Sequence, residues 1–214
     1  MKKRSRYLLL IFSLTTIIFS SCGKRLNQRV TLWRSDKIPY GTYYAYYNLD
    51  YLFPNSDIDV NETSPEVLDV TSSAYIIISP TVKPSADELQ AIFNLAVAGN
   101  HIFISGLEIG KNLLDSFRLK EKNNFPLRSD STTLVIYDPE VGDSVKFQYP
   151  GFRLESSFGG MDTTITNIVG RDENGDANFV RFTYQGGGSV SIHYAPVGFT
   201  NFLRGHPPKP SCRG

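Results

Sequence analysis

The residues best suited to chemistry in this chain are scattered. Of the three histidines, His101 and His193 sit in apolar, strand-like runs and His206 in the last few residues. A strand histidine with no neighbouring His, Cys or carboxylate motif is more often a packed residue than a metal ligand. Asp172, Asn174 and Asp176 alternate as calcium-loop oxygens do. The glycine is misplaced for such a loop and the closing glutamate is missing, so the spacing favours a solvated hairpin turn. Six tyrosines fall between Tyr40 and Tyr51, more than one buried face can use. They offer ring stacks for a sugar or flat ligand, although packing half-buried against a sheet is the commoner use of tyrosine. Neither a phosphate loop nor a dinucleotide glycine fingerprint occurs, and no cofactor is expected.

Whatever these residues do, the stretch from Ala74 to Gly110 must position them. Ala74 to Ser79 is an unbroken apolar run rich in β-branched residues, the pattern of a strand buried on both faces. Ser85-Ala86-Asp87-Glu88 reads as a capping box, and Leu89, Ile92, Phe93 and Ala96 follow at helical spacing to a stop at Gly99-Asn100. His101 to Ser105 is a second strand, which makes one βαβ unit and hence a parallel sheet. Upstream, Arg29–Trp33 and Asp57–Val60 read as further strands around a helix that Thr42 caps and Pro54 ends. Downstream, Ile109, Leu113, Leu114 and Phe117 predict another amphipathic helix. Beyond it, Thr133–Tyr137, Val145–Tyr149, Thr163–Val169, Asn178–Tyr184 and Ser189–Tyr194 read as strands. Asn174-Gly175 and Gly186-Gly187-Gly188 are hairpin turns between them.

The ends of the chain differ from this body. Lys2, Lys3, Arg4 and Arg6 precede an apolar run from Tyr7 to Phe19, too short to span a membrane comfortably, and small residues lead into Cys22. This pattern is that of a bacterial lipoprotein signal over 1–21, with Cys22 lipidated and 22–28 a tether; an uncleaved anchor is the alternative. Acyl chains on Cys22 would hold the protein to a membrane without a spanning helix. Loss of the four basic residues of the signal leaves 18 basic against 21 acidic side chains, a net charge of −3. A weakly acidic body argues against nucleic acid as a partner. Cys212 then has no cysteine to pair with. From Leu203 to Gly214 the chain is proline-rich, lacks an apolar period and is expected to be disordered, either as a frameshifted or truncated end or as a natural short tail.

The segments in order resemble a known family. Pro39-Tyr40-Gly41-Thr42-Tyr43, the strand-loop-helix from Ile76 to Glu88, Ala98-Gly99-Asn100, and Tyr194-Ala195-Pro196 before Phe199-Thr200-Asn201 are similar to domain of unknown function 4350. The resemblance covers about Trp33 to Phe202. It implies an α/β fold, a flavodoxin-like or class I glutamine amidotransferase-like parallel sheet with helices on both faces, over residues 29–202. The antiparallel second half would be added to that sheet. It also implies a membrane-associated bacterial protein, with MoxR-type ATPases and other membrane proteins as possible partners.

In glutamine amidotransferases the nucleophile is a cysteine on a Gly-x-Cys-x-Gly elbow. The similar position here, Ile104-Ser105-Gly106-Leu107-Glu108, has no cysteine. Ser105 with His193 as base is the only substitute, and it lacks the glycine-flanked elbow. A parallel sheet still has its crevice at the carboxyl ends of its strands. There Tyr40, Gly41 and Thr42 would face Ser79 and Thr81, with Ser105 and Glu108 beside them, as ligand contacts or merely as caps and turns. The expected protein is a non-catalytic, lipid-anchored scaffold or binding module of a Gram-negative cell envelope, facing the periplasm or outer surface. A hydrolase using the strand-end crevice is the alternative.

Overall fold

The computed structural model of the chain describes residues 27, 29–122, 131–138, 143–150, 156–172 and 174–202. Expectations for Cys22, the signal, most of the tether and the 203–214 tail lie outside those residues. The βαβ unit is present: β1 (Ala74–Val82) runs parallel to β2 (His101–Ile109) through a 12-residue helix, here α3 (Ala86–Val97). The capping box forms as two reciprocal bonds. Glu88 N–H donates to Ser85 Oγ at 3.1 Å, and Ser85 N–H donates to Glu88 Oε2 at 2.7 Å. Two free amides at the helix start are thereby satisfied.

The surrounding architecture is not the one the sequence suggests. Seven strands form one mixed sheet in the order β1-β2-β9-β8-β7-β4-β5. Strand β9 (Ser189–His193) pairs parallel with β2, and every neighbour pair beyond it is antiparallel: β8 (Ala177–Thr183), β7 (Asn167–Asp172), β4 (Ser131–Asp138) and β5 (Asp143–Pro150). A second sheet of two strands pairs β3 (Lys120–Lys122) with β6 (Ser157–Gly160). The flavodoxin-like, helix-flanked parallel sheet is therefore wrong, and the fold is β-rich. β1 and β2 are parallel because a helix crosses between them, whereas β4–β5, β7–β8 and β8–β9 are consecutive strands joined as hairpins, which impose antiparallel pairing.

Neither upstream strand forms. Residues 29–33 bond instead to the loop that follows: Leu32 N–H donates to the Tyr40 carbonyl and Thr42 N–H to the Trp33 carbonyl. Leu32 itself takes a φ of 52°, a left-handed value that ends any extended run. Consequently β1 is an edge strand rather than the central one, and Ile77 is only partly buried.

The longer helix α3 and the short helix that follows β2 pack on one face of the sheet, and a 3-10 turn, Pro196–Phe199, lies over the other. Ile102 and Ile104 of β2, Val190 and Ile192 of β9, and Val180 and Phe182 of β8 point to the α3 side. They pack against Ile92, Leu95 and Ala96 of α3 and against Leu113 and Leu114 of the short α4 (Lys111–Ser116). Each such side chain contributes about 1.5–3 kcal/mol by leaving water. The turn before β9 fits tightly beneath α3: a Cβ on Gly188 would lie 2.0 Å from the Ala96 carbonyl oxygen, so only glycine passes there. On the opposite face a smaller cluster of Tyr40, Ala195 and Val197, with Leu107 and Val30, caps the carboxyl ends of the strands. The tyrosine-rich segment forms two short helices, α1 (Tyr43–Tyr47) and α2 (Leu49–Leu52), neither of which buries a residue.

Candidate functional site

Strand register places Ser105 directly opposite His193 on the face away from α3, beneath the 3-10 turn Pro196–Phe199. Ser105 Oγ lies 2.9 Å from His193 Nδ1. Both residues are buried, at 0% and 3% exposure. The imidazole is walled by rings: Phe179 at 5.0 Å, Phe199 at 5.9 Å and Phe103 at 6.0 Å between centroids. Burial alone pushes the His193 pKa down to about 3, so the ring is neutral near pH 7. The distance is that of a serine–base pair. A working pair also requires a third group to orient the base and a route for substrate. Here the hydroxyl has no exposed surface and aromatic rings surround the base.

The expected crevice residues separate into two groups with different duties. Tyr40, Gly41 and Thr42 form a packed loop. Tyr40 stacks on Phe202 with centroids 5.5 Å apart, and the Thr42 hydroxyl donates to the Leu32 carbonyl at 3.0 Å rather than capping α1. A Cβ on Gly41 would sit 2.1 Å from the Asp36 carbonyl oxygen, which explains the glycine without any ligand. Ser79, Thr81 and Glu108 form a surface row at the ends of β1 and β2. Ser79 Oγ donates to the Thr81 carbonyl at 3.0 Å, and Thr81 and Glu108 face one another in register. Lys83 Nζ approaches Glu108 Oε1 at 2.5 Å, and this contact holds the Glu108 carboxyl below the usual range. These groups satisfy one another, and their arrangement is that of caps and turns.

A hollow of about 230 Å³ lies elsewhere, on β4, β5 and β7, between Val135, Tyr137, Ser144, Ile168, Gly170 and Arg171. Among the described residues no group of three or more His, Cys, Asp or Glu side chains is placed to hold a metal. The Asp172–Asp176 segment is the expected turn: Asp172 Oδ1 accepts the amides of Asn174 at 2.8 Å and Asp176 at 3.0 Å.

Sequence reasoning missed Asn201, which ties the amino-terminal loop to the sheet. Its Oδ1 accepts from Tyr44 N–H at 3.0 Å, and its Nδ2 donates to the Asp36 and Ile38 carbonyls, each at 2.7 Å. The signal was present, since Phe199-Thr200-Asn201 is one of the motifs that carry the family resemblance. Arg181 was missed as well. Its Nε donates to Ser191 Oγ at 3.2 Å, beside a His101 Nδ1 that is 3.0 Å from Ser189 Oγ. No local motif marks that polar row, because its members come from three strands.

No family profile and no curated protein sequence matches the chain. Among solved structures, the mmIFT52 N-terminal domain superposes with a TM-score of 0.54 at 14% identity, over 75% of this chain and 83% of that one. The exo-beta-1,4-mannosidase Op5Man5 from Opitutaceae bacterium strain TAV5 gives a TM-score of 0.47 at 14% identity. That match covers 84% of this chain and 30% of the mannosidase. At such identities a likeness concerns the fold alone, and the fold this chain shares is that of the mmIFT52 N-terminal domain.

Proposed function

We propose that the protein is a non-catalytic, lipid-anchored module of the cell envelope that binds or scaffolds other envelope components. The observation that carries the non-catalytic part is the sealed Ser105–His193 pair: the Ser105 hydroxyl has no surface on which a substrate could act. The anchor rests on the sequence around Cys22. Among the described residues no helix is long and apolar enough to cross a membrane. The net charge of −3 after loss of the signal favours protein or lipid partners over nucleic acid. A MoxR-type ATPase system is the partner class offered by the family resemblance. The hydrolase reading draws on the same 2.9 Å contact and needs it to open.

A fluorophosphonate probe, which reacts with activated serines, separates the two readings. Incubated with the full chain, it should leave the protein unlabelled. Labelling that disappears in Ser105→Ala would establish a serine hydrolase and overturn the scaffold.

A further inference from the structure

Among the described residues the exposed aromatic side chains fall between Trp33 and Phe53, apart from Tyr137 on β4. Trp33 is 61% exposed, Tyr47 68%, Tyr51 85% and Leu52 63%, and Tyr44, Tyr46 and Phe53 are also exposed. Tyr44 and Tyr47 are three residues apart on α1, and Tyr51 follows on α2. The Trp33 carbonyl accepts the Thr42 amide at 2.9 Å, which fixes the indole-bearing segment at the start of α1. From Ile38 to Ser56 the only charged side chain is Asp50. Tyr40, Gly41 and Thr42 of this stretch are buried, and the rest carries one charge of its own, with the Lys37 ammonium 4.5 Å from the Tyr43 ring, in a chain that is 20% charged.

We propose that this ledge, formed by Trp33 and helices α1 and α2, docks on the headgroup region of the bilayer to which Cys22 is attached. The inference rests on the proposed lipid anchor for its geometry. Ten residues lie between Cys22 and Trp33, a reach of at most about 40 Å when fully extended. The anchor therefore holds the ledge within reach of lipid at high effective concentration, where a weak affinity is sufficient. Tyrosine and tryptophan suit that boundary because each has an apolar body and one polar atom that stays hydrated. A protein partner would be expected to offer a groove shaped to these rings; a lipid interface accepts them without one. Docking would also set the orientation of the domain, with α1 and α2 against the membrane.

Trp33 is the only tryptophan in the chain, so its fluorescence reports on the ledge alone. The lipidated full chain is reconstituted into phosphatidylcholine vesicles, plain or brominated on the acyl carbons nearest the headgroup. The expected result is a blue-shifted Trp33 emission that brominated lipid quenches strongly. The surface variant Tyr47→Ser/Tyr51→Ser/Leu52→Ser should lose most of that quenching while still floating with the vesicles. Unquenched, water-like emission from protein that floats would overturn the docking and leave the anchor standing. Blue-shifted but unquenched emission from a protein that sediments as a dimer would overturn it in favour of a second copy of this chain. A Cys22→Ala chain that labels with fatty acid as wild type does would overturn the anchor, and the quenching of Trp33 would still decide the docking.

Discussion

The βαβ unit from Ala74 to Ile109 and the segment from Arg29 to Val60 both read as regular structure, and only the first forms it. In the first, apolar side chains recur at the periods of strand and helix, and their partners lie within the unit or on β9. In the second, none of Ala45, Leu49, Leu52 and Phe53, which carry the helical period, is buried, and the backbone bonds run to a loop and to one asparagine. Burial holds the first together throughout, whereas in the second it is confined to Leu32 and the Tyr40 cluster, and polar bonds tie the rest. A periodic pattern fixes structure where it buries its apolar face, and otherwise leaves short turns of helix.

That contrast has measurable consequences. Ile104→Asp places an unpaired charge at a fully buried position of β2 and should cost about 4 kcal/mol or more, abolishing the cooperative thermal transition. A variant that still melted cooperatively near the wild-type temperature would refute the assignment of the core to this unit.

His193 makes a subtler test of the same sheet. Above about pH 6.5 it is neutral whether the chain is folded or not. Below that value the unfolded chain takes up a proton that the folded chain refuses down to about pH 3, so stability must fall as the pH falls across this window. The slope from this one group is about 1.4 kcal/mol per pH unit, and His193→Gln should remove it from urea melts taken between pH 6 and 4. An acid slope equal to that of the wild type would show that His193 is solvated.

Asn201→Ala should have the smallest and most local effect. Loss of its three bonds should cost about 2 kcal/mol and accelerate amide exchange in residues 29–60. Exchange in α3 and β2 should not change. Equal acceleration in both regions would mean that they unfold as one body and would break the comparison.

The βαβ unit was legible because its signals are local: the capping box, the helical period and the β-branched run each need only neighbouring residues. Its place in the sheet was not legible. β1 reads as central because Tyr75 to Ile78 are apolar, yet Ile76 is 38% exposed and the strand lies at an edge. Which strands pair is decided by contacts far apart in the sequence. The hairpin turns at Asn174-Gly175 and Gly186-Gly188 were readable from residue type, and with them the antiparallel half. For the site, the pairing of Ser105 with His193 could be suggested from their types. Its closure by Phe103, Phe179 and Phe199 could not, since three rings from separate elements leave no common motif. Tyr40, Gly41 and Thr42 stood out in the sequence because a tight loop needs them, and a packing role gives the same signature as a binding role.

The position of β9 between β2 and β8 has a consequence for how the protein is made. Ser105 and His193 are 88 residues apart. At roughly 5–20 residues per second, translation delivers the second strand about 4 to 18 seconds after the first. Throughout that interval one edge of β2 and the apolar face beneath α3 have no partner. A nascent chain in this condition is open to wrong pairing and to capture by chaperones. Completion of the sheet must await the β8–β9 hairpin, which supplies the second neighbour of β2. Changes that slow this hairpin, at the Gly186–Gly188 turn above all, should lower the yield of folded protein more than they lower its final stability.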